Sequence, residues 1–321
     1  MKRVATAVVL IPLVLMAVFR APLWLFAAIV ALIALLATRE YLRLVKAHGI
    51  EPFGWATYLF TTAVFLSAGM SFAVRALVIR LAQQGRGAPI TPASHPRLYL
   101  AYQISGWIGA AALSAPFIFF GLGLARKELR TALPGAAAST LCLAYITLPL
   151  YALILVESSP QGALLIAYLL IVIWVGDTAA YYAGRTIGRH PMAPEISPNK
   201  TWEGAAAGFL GSVIAGTLLL IYIRQIYAGL ESVHLPRQVS VMQSMPTLKV
   251  PTIWLAAMIS GTLNVAAQIG DLVESTMKRG GGVKDAGNLL PGHGGMLDRI
   301  DALLFAAPLL WYYASFQVLH F

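Results

Sequence analysis

Between Asp271 and Asp301 the chain gathers five carboxylates (Asp271, Glu274, Asp285, Asp298, Asp301), four basic side chains (Lys278, Arg279, Lys284, Arg299) and His293. That is a heavy share of the 13 carboxylates and 23 Lys/Arg in 321 residues, confined to 31 positions. Spaced aspartates suit a hard divalent cation such as Mg2+, which takes few protein ligands and completes its shell with phosphate and water. The lysines and arginines can neutralise a polyphosphate. Gly280-Gly281-Gly282 and Gly292, Gly294, Gly295 allow the backbone to come close to a ligand. Zinc is disfavoured, because the only cysteine, Cys142, lies in an apolar run and His293 has no neighbouring His. The glycines do not form GxxxxGK[ST], so an ordinary nucleotide P-loop is absent. A glycine-rich loop alone signals a flexible turn; combined with two spaced aspartates and four cations it signals metal-assisted phosphate chemistry.

A second charged block lies upstream, with Asp177, Glu195, Glu203, Arg185, Arg189 and Lys200. The elements that must position both blocks are apolar. The chain is 59% hydrophobic and 11% charged, with mean hydropathy +0.74, which excludes an ordinary soluble globule. Nine apolar runs are long enough to cross a bilayer core: about 4–19, 23–37, 55–74, 98–125, 132–156, 163–182, 205–223, 252–269 and 302–319. The fourth is long and carries Gly106, Gly109 and Pro116, which predicts a kink or tilt. The first run follows Lys2-Arg3 without a small-x-small cleavage site and is expected to remain as a span. The expected architecture is an all-α polytopic membrane protein of about nine transmembrane helices, with a polar cavity open to the cytoplasmic face. It forms one integral-membrane domain over 1–321, in which 163–321 carries the chemistry and 1–160 contributes less specific spans.

Net charge is +10, yet most of the basic residues sit in short loops between apolar runs, where they orient helices and meet anionic lipid rather than nucleic acid. Nine spans put 15 Lys/Arg on the N-terminal side and eight on the other. The positive-inside rule then places the N-terminus in the cytoplasm and the C-terminus outside. Two spans separate the charged blocks, so both fall on the cytoplasmic face and can form one site.

Asn264, Gln268, Asp271, Ser275 and Lys278 recur at intervals of three and four, and Asp177, Tyr181 and Arg185 at intervals of four. If each helix continues past the apolar run, each set shares one face. Asn264 and Gln268 can be interhelical hydrogen-bonding residues or the wall of a polar cavity. Gly204, Gly208, Gly211 and Ala215 form a smooth face suited to close packing within the chain or to a dimer contact. The polar linker over 224–251 carries no expected chemistry.

Ser275-x-Met277-Lys278-Arg279, Lys284-Asp285-x-Gly287 and Leu290-Pro291-x-His293-Gly294-Gly295-Met296-x-Asp298-Arg299-Ile300-Asp301 together resemble the signature of the phosphatidate cytidylyltransferase (CDP-diglyceride synthetase) family over all 27 of its positions. Ser197-Pro198-Asn199-Lys200-Thr201-Trp202-Glu203-Gly204 is similar to the family's S-P-x-K-T-W-E-G. The specific motifs cover roughly the second half of the chain. The resemblance implies that CTP and phosphatidate yield CDP-diacylglycerol and pyrophosphate, with Mg2+ and K+ as cofactors, in a membrane protein able to form a homodimer. It implies a bacterial inner membrane as the location, and Asp271 and Asp298 as metal ligands. Lys278, Arg279, Lys284 and Arg299 are then expected to grip phosphates, with Ser197, Lys200, Thr201, Ser275 and Asp285 helping to bind substrate and cofactor. His293 either orients a phosphate or caps the PGHGG turn; Asp285 and Asp301 either support the site or are structural. A CTP-dependent lipid kinase and an ion-coupled transporter are the rival readings. The transporter expects charge near the bilayer midplane, whereas here the charge collects at one face.

Overall fold

The computed structural model describes residues 2–83, 96–159, 161–232, 250–287 and 294–319. Inside a bilayer no water is available to the backbone, so apolar runs must satisfy their own N–H and C=O groups as helices. The described chain is accordingly almost all helical. In order the helices are α1 (Lys2–Arg20), α2 (Leu23–Ala47), α3 (Gly54–Gln83), α4 (Pro96–Ala111), α5 (Ala115–Gly123), α6 (Ala132–Cys142), α7 (Leu148–Glu157), α8 (Gly162–Ile187), α9 (Trp202–Ile221), α10 (Ile223–Ser232), α11 (Ile253–Gly280) and α12 (Leu297–Leu319). Among the described residues, seven helical stretches are long and apolar enough to cross a membrane by length and composition. They coincide with the second to eighth expected spans. The first expected span is helical as α1, whose described apolar stretch is the shorter Leu10–Arg20. The ninth is helical as α12, which opens on charged residues including Asp298.

The chain divides into two compact units, Ala21–Ile154 and Met1–Arg20 with Leu155–Phe321. In the first, Phe53, Ala56, Ala115, Phe119, Ala136 and Leu143 form a buried cluster. Phe53 and Phe119 stack at 6.3 Å between centroids, and the Arg126 guanidinium lies 4.1 Å over the Phe53 ring. The long fourth run is broken as expected: a 3₁₀ turn, Ala112–Ser114, separates α4 from α5 just before Pro116. The fifth run contains a π turn at Leu143–Thr147, where the Thr147 and Thr61 hydroxyls meet at 3.0 Å.

The second unit carries the charged blocks. Its α8, α9 and α11 pack through glycine. Added Cβ atoms at Gly204 and Gly208 would lie 2.8 Å from Ala180 O and 2.9 Å from Gly176 O, and at Gly211 3.1 Å from Ala179 Cβ. The smooth face of α9 is therefore used for packing on α8 within the chain. A hydrogen-bonded ladder accompanies this close approach. Ser212 Oγ donates to Val172 O at 2.7 Å, Asn264 Nδ2 to Ser212 Oγ at 2.8 Å, and Gln268 Nε2 to Asn264 Oδ1 at 2.6 Å and Ala205 O at 3.1 Å. Deeper along α11, Ser260 and Tyr168 share a hydrogen bond of 2.9 Å. Asn264 and Gln268 are thus interhelical partners, each donating to α9, and Ser212 carries the ladder on to α8.

Two strands, β1 (Pro191–Ala193) and β2 (Ser197–Thr201), form an antiparallel hairpin between α8 and α9. An all-helical expectation did not include it. The hairpin ends at Thr201, whose hydroxyl accepts the Gly204 N–H at 3.2 Å and caps α9.

At Gly176 an added Cβ would overlap Asn264 Nδ2 and lie 2.5 Å from Ser212 Oγ, whereas at Gly106 nothing lies within 4 Å. Gly176→Ala is expected to destabilise the protein by about 1–3 kcal/mol through overpacking, while Gly106→Ala should not. Thermal unfolding of both variants in detergent checks this, and equal melting temperatures would refute the packing assignment.

Candidate active site

Helix α11 has 28 residues, about 42 Å at ~1.5 Å per residue, against a hydrocarbon core of ~30 Å. Its last turns must therefore leave the apolar layer, and they carry Asp271, Glu274, Ser275, Lys278 and Arg279 on a rigid support. The helix ends through glycine. Gly282 has φ 69°, Gly282 N donates to Arg279 O at 3.0 Å, and Val283 N donates to Lys278 O at 2.9 Å. These two bonds form a Schellman cap, which needs a left-handed residue at that place. Lys278 and Arg279 occupy the last turn, where the helix dipole favours cations.

The hairpin reaches this helix end twice. Lys200 Nζ lies 2.6 Å from Asp271 Oδ2, and Arg279 Nε donates to Ile196 O at 3.2 Å. Ser275 Oγ lies at 3.5 Å from the other Asp271 oxygen. Helix α12 reaches it from the opposite side of the glycine loop. Asp298 Oδ1 accepts from Lys278 Nζ at 2.6 Å, and Asp298 Oδ2 accepts from Ala286 N at 3.0 Å and Gly295 N at 2.7 Å. Burial opposes ionisation of Asp298, but the Lys278 ammonium and the Gly295 N–H outweigh it and hold the carboxyl below the usual range. Asp301 is different. Burial first, and then the charge of Asp271, push its carboxyl up to about 7. Gly270 brings α11 and α12 together here, since an added Cβ would lie 2.5 Å from Asp301 O.

The structure thus joins Lys200 of the hairpin with Asp271, Ser275, Lys278 and Arg279 of α11 and with Asp298 of α12, and Ser197 and Thr201 lie on the same hairpin. Thr201 is engaged as the α9 cap. Lys284 and Asp285 are exposed on the loop after α11, and Arg299 is exposed on α12. His293 lies outside the described residues. Asp177, Asp271 and Lys200 are within electrostatic range of one another. Sequence reasoning counted Glu274 among the gathered carboxylates but gave it no role. It is fully buried at 0% exposure and forms an ion pair with Lys278 at i,i+4. That spacing was the signal that could have found it.

The donor set fits a hard cation. Asp271 and Asp298 offer oxygen only, and each is held by an ammonium group standing where positive charge is wanted. Among the described residues no group of three or more His, Cys, Asp or Glu is placed to hold a metal. Most of the shell would have to come from water and phosphate oxygens, the usual condition for Mg2+.

Gly294 has φ 76°, and an added Cβ would lie 2.7 Å from Asp298 Oδ2. Gly294→Ala is expected to strain this turn by about 1–3 kcal/mol and to loosen the Asp298 cradle. Hydrogen exchange at the Ala286 and Gly295 amides should accelerate relative to the wild type; unchanged protection would show that the cradle does not depend on Gly294.

A protein of Synechocystis sp. named phosphatidate cytidylyltransferase is 31% identical over 296 residues, covering 90% of this chain and 88% of its own. Proteins of the same name from Bacillus subtilis and Staphylococcus saprophyticus are each 38% identical, over 54% and 49% of this chain and 56% and 51% of theirs. Against several curated relatives, then, the match spans about half their length. The model of the cytidylyltransferase family matches residues 1–317. The chain belongs to the cytidylyltransferase family.

Proposed function

We propose that this chain is a phosphatidate cytidylyltransferase, which joins the cytidylyl group of CTP to phosphatidate and releases pyrophosphate. The observation that carries the reading is the pair of carboxylate–lysine contacts, Asp271–Lys200 and Asp298–Lys278. The first ties the two charged blocks together and the second ties α11 to α12, in a chain of this family. A phosphatidate oxygen attacks the α-phosphorus of CTP in line, the new P–O bond forms as the bond to the pyrophosphate oxygen breaks, and pyrophosphate leaves. The nucleophile is already anionic, so the protein's task is positioning and charge neutralisation rather than proton abstraction.

Lys278, Arg279, Lys284 and Arg299 grip phosphates, and Lys200 and Ser197 approach them from the hairpin. Arg279 keeps the ends of its guanidinium for this while its Nε holds Ile196 O. Asp271 and Asp298 would hold Mg2+, with K+ beside it. Bound Mg2+ would neutralise phosphate charge and polarise the α-phosphorus. Asp177, Ser275, Asp285 and Asp301 support this arrangement. His293 either orients a phosphate or caps the PGHGG turn.

The same reading gives nine spans, with α1 and α12 as the first and ninth, in a bacterial inner membrane. The N-terminus and both charged blocks face the cytoplasm, where CTP is available, and the C-terminus lies outside. The polar cavity opens on that face, lipid tails enter between helices, and the phosphatidate head group meets the end of α11. Two copies can associate as a homodimer.

Incubation of the purified chain with phosphatidate, Mg2+ and CTP labelled at either the α- or the γ-phosphate tests the reaction. Label is expected in the lipid from the α position only, and a chelator should abolish transfer. Transfer from the γ position would instead mean a lipid kinase, and no transfer by folded protein would reject the proposal. Asp271→Asn and Asp298→Asn should each lower turnover by about 10³-fold or more while the fold is kept.

A further inference from the structure

We infer that Glu274 is a positioning residue that retains Lys278 when a divalent cation takes Asp298, so that the lysine is passed from the carboxylate to phosphate rather than expelled from the site. This rests on the assignment of Asp298 as a cation ligand. It goes beyond it by giving a role to a carboxylate that neither touches substrate nor is open to solvent.

Asp298 is held through both of its carboxylate oxygens. Its Oδ2 is occupied by two backbone donors, Ala286 N at 3.0 Å and Gly295 N at 2.7 Å. Those donors belong to the turn that shapes the site. Oδ1 is the oxygen left for a cation, and Lys278 Nζ holds it at 2.6 Å. A divalent cation on Oδ1 and the Lys278 ammonium would then be two positive charges on one atom, and their repulsion favours release of the lysine. A lysine displaced at the edge of a bilayer would be a half-buried charge without a counterion, which is costly.

Glu274 removes that difficulty. It lies one turn back on the same helix, is fully buried, and is ion-paired with Lys278. Its side chain is 0% exposed, against 8% for that of Asp298. Lys278 can release Asp298 and remain charged against Glu274, with its remaining N–H donors free for phosphate oxygens. Lys200 has no such need. Its side chain and that of Asp271 are 28% and 41% exposed, against 12% for Lys278, so solvent can stabilise Lys200 when Asp271 is taken.

The test is Mn2+ binding to the full chain in detergent, without nucleotide, followed by electron paramagnetic resonance. Wild type is expected to bind Mn2+, and Asp298→Asn to lose affinity by about tenfold or more. Glu274→Gln should weaken binding by about fivefold or more, because Lys278 then holds Asp298 alone. Lys278→Met would leave Glu274 buried and unpaired, so the decisive variant is Glu274→Gln/Lys278→Met, which carries no such charge. With the competitor gone it should bind Mn2+ about fivefold or more tightly than wild type. The opposite signs are the signature, since damage to the fold would weaken both. A folded double variant that binds no tighter than wild type, or a Glu274→Gln that binds equally well, overturns the inference. Failure of wild type to bind, or full binding by Asp298→Asn, would instead refute Asp298 as a ligand, and this inference with it.

Discussion

A charged group at the margin of a bilayer must be paired, and this constraint shapes the site. Lys278 lies between Glu274 and Asp298, and Lys200 faces Asp271. In the proposed reaction Asp271 and Asp298 would offer negative charge to a metal, and the two ammonium groups would offer positive charge to phosphate. Together they are neutral enough to exist next to an apolar layer without ligand. On that proposal, substrate and metal would exchange partners within a set of three carboxylates and two ammonium groups.

Such pairing needs rigid supports, because an ion pair gains only when its geometry is held. Helix α11 supplies the main support. Its lower part is fixed to α8 and α9 by the Ser212–Asn264–Gln268 ladder and by glycine contacts that let the backbones meet. Its upper part projects beyond the apolar layer. The Schellman cap at Gly282 turns the chain into the loop that returns as α12, and Gly294 makes room for the Asp298 carboxylate. The hairpin closes the third side through Lys200 and Arg279.

Much of this was legible in the sequence, for identifiable reasons. Apolar runs of span length have few alternatives to helix, so α2 to α9 and α11 followed from hydropathy, and the break near Pro116 from the lack of a proline N–H. The spacing of Asp271, Ser275 and Lys278 placed them on one helix face before any coordinates. The hairpin at Pro191–Thr201 was not legible, because short strands around Ser-Pro-Asn-Lys have no apolar alternation to reveal them. The polar stripe was legible as a stripe but not in its two uses. Asn264 and Gln268 face neighbouring helices, while Asp271 and Lys278 face charged partners.

The sequence by itself determined the helical class, the membrane setting, the family resemblance and the identity of nearly every polar residue at the site, since periodicity, hydropathy and motif spacing are local properties of the chain. Tertiary structure alone decided which charges are partners. Lys200 and Asp271 are 71 residues apart, and Lys278 and Asp298 are 20 apart across a glycine loop. Their distances of 2.6 Å depend on how α9, α11 and α12 pack. It also decided that Glu274 is enclosed while Asp271 is half-open, for burial is set by what neighbouring helices cover.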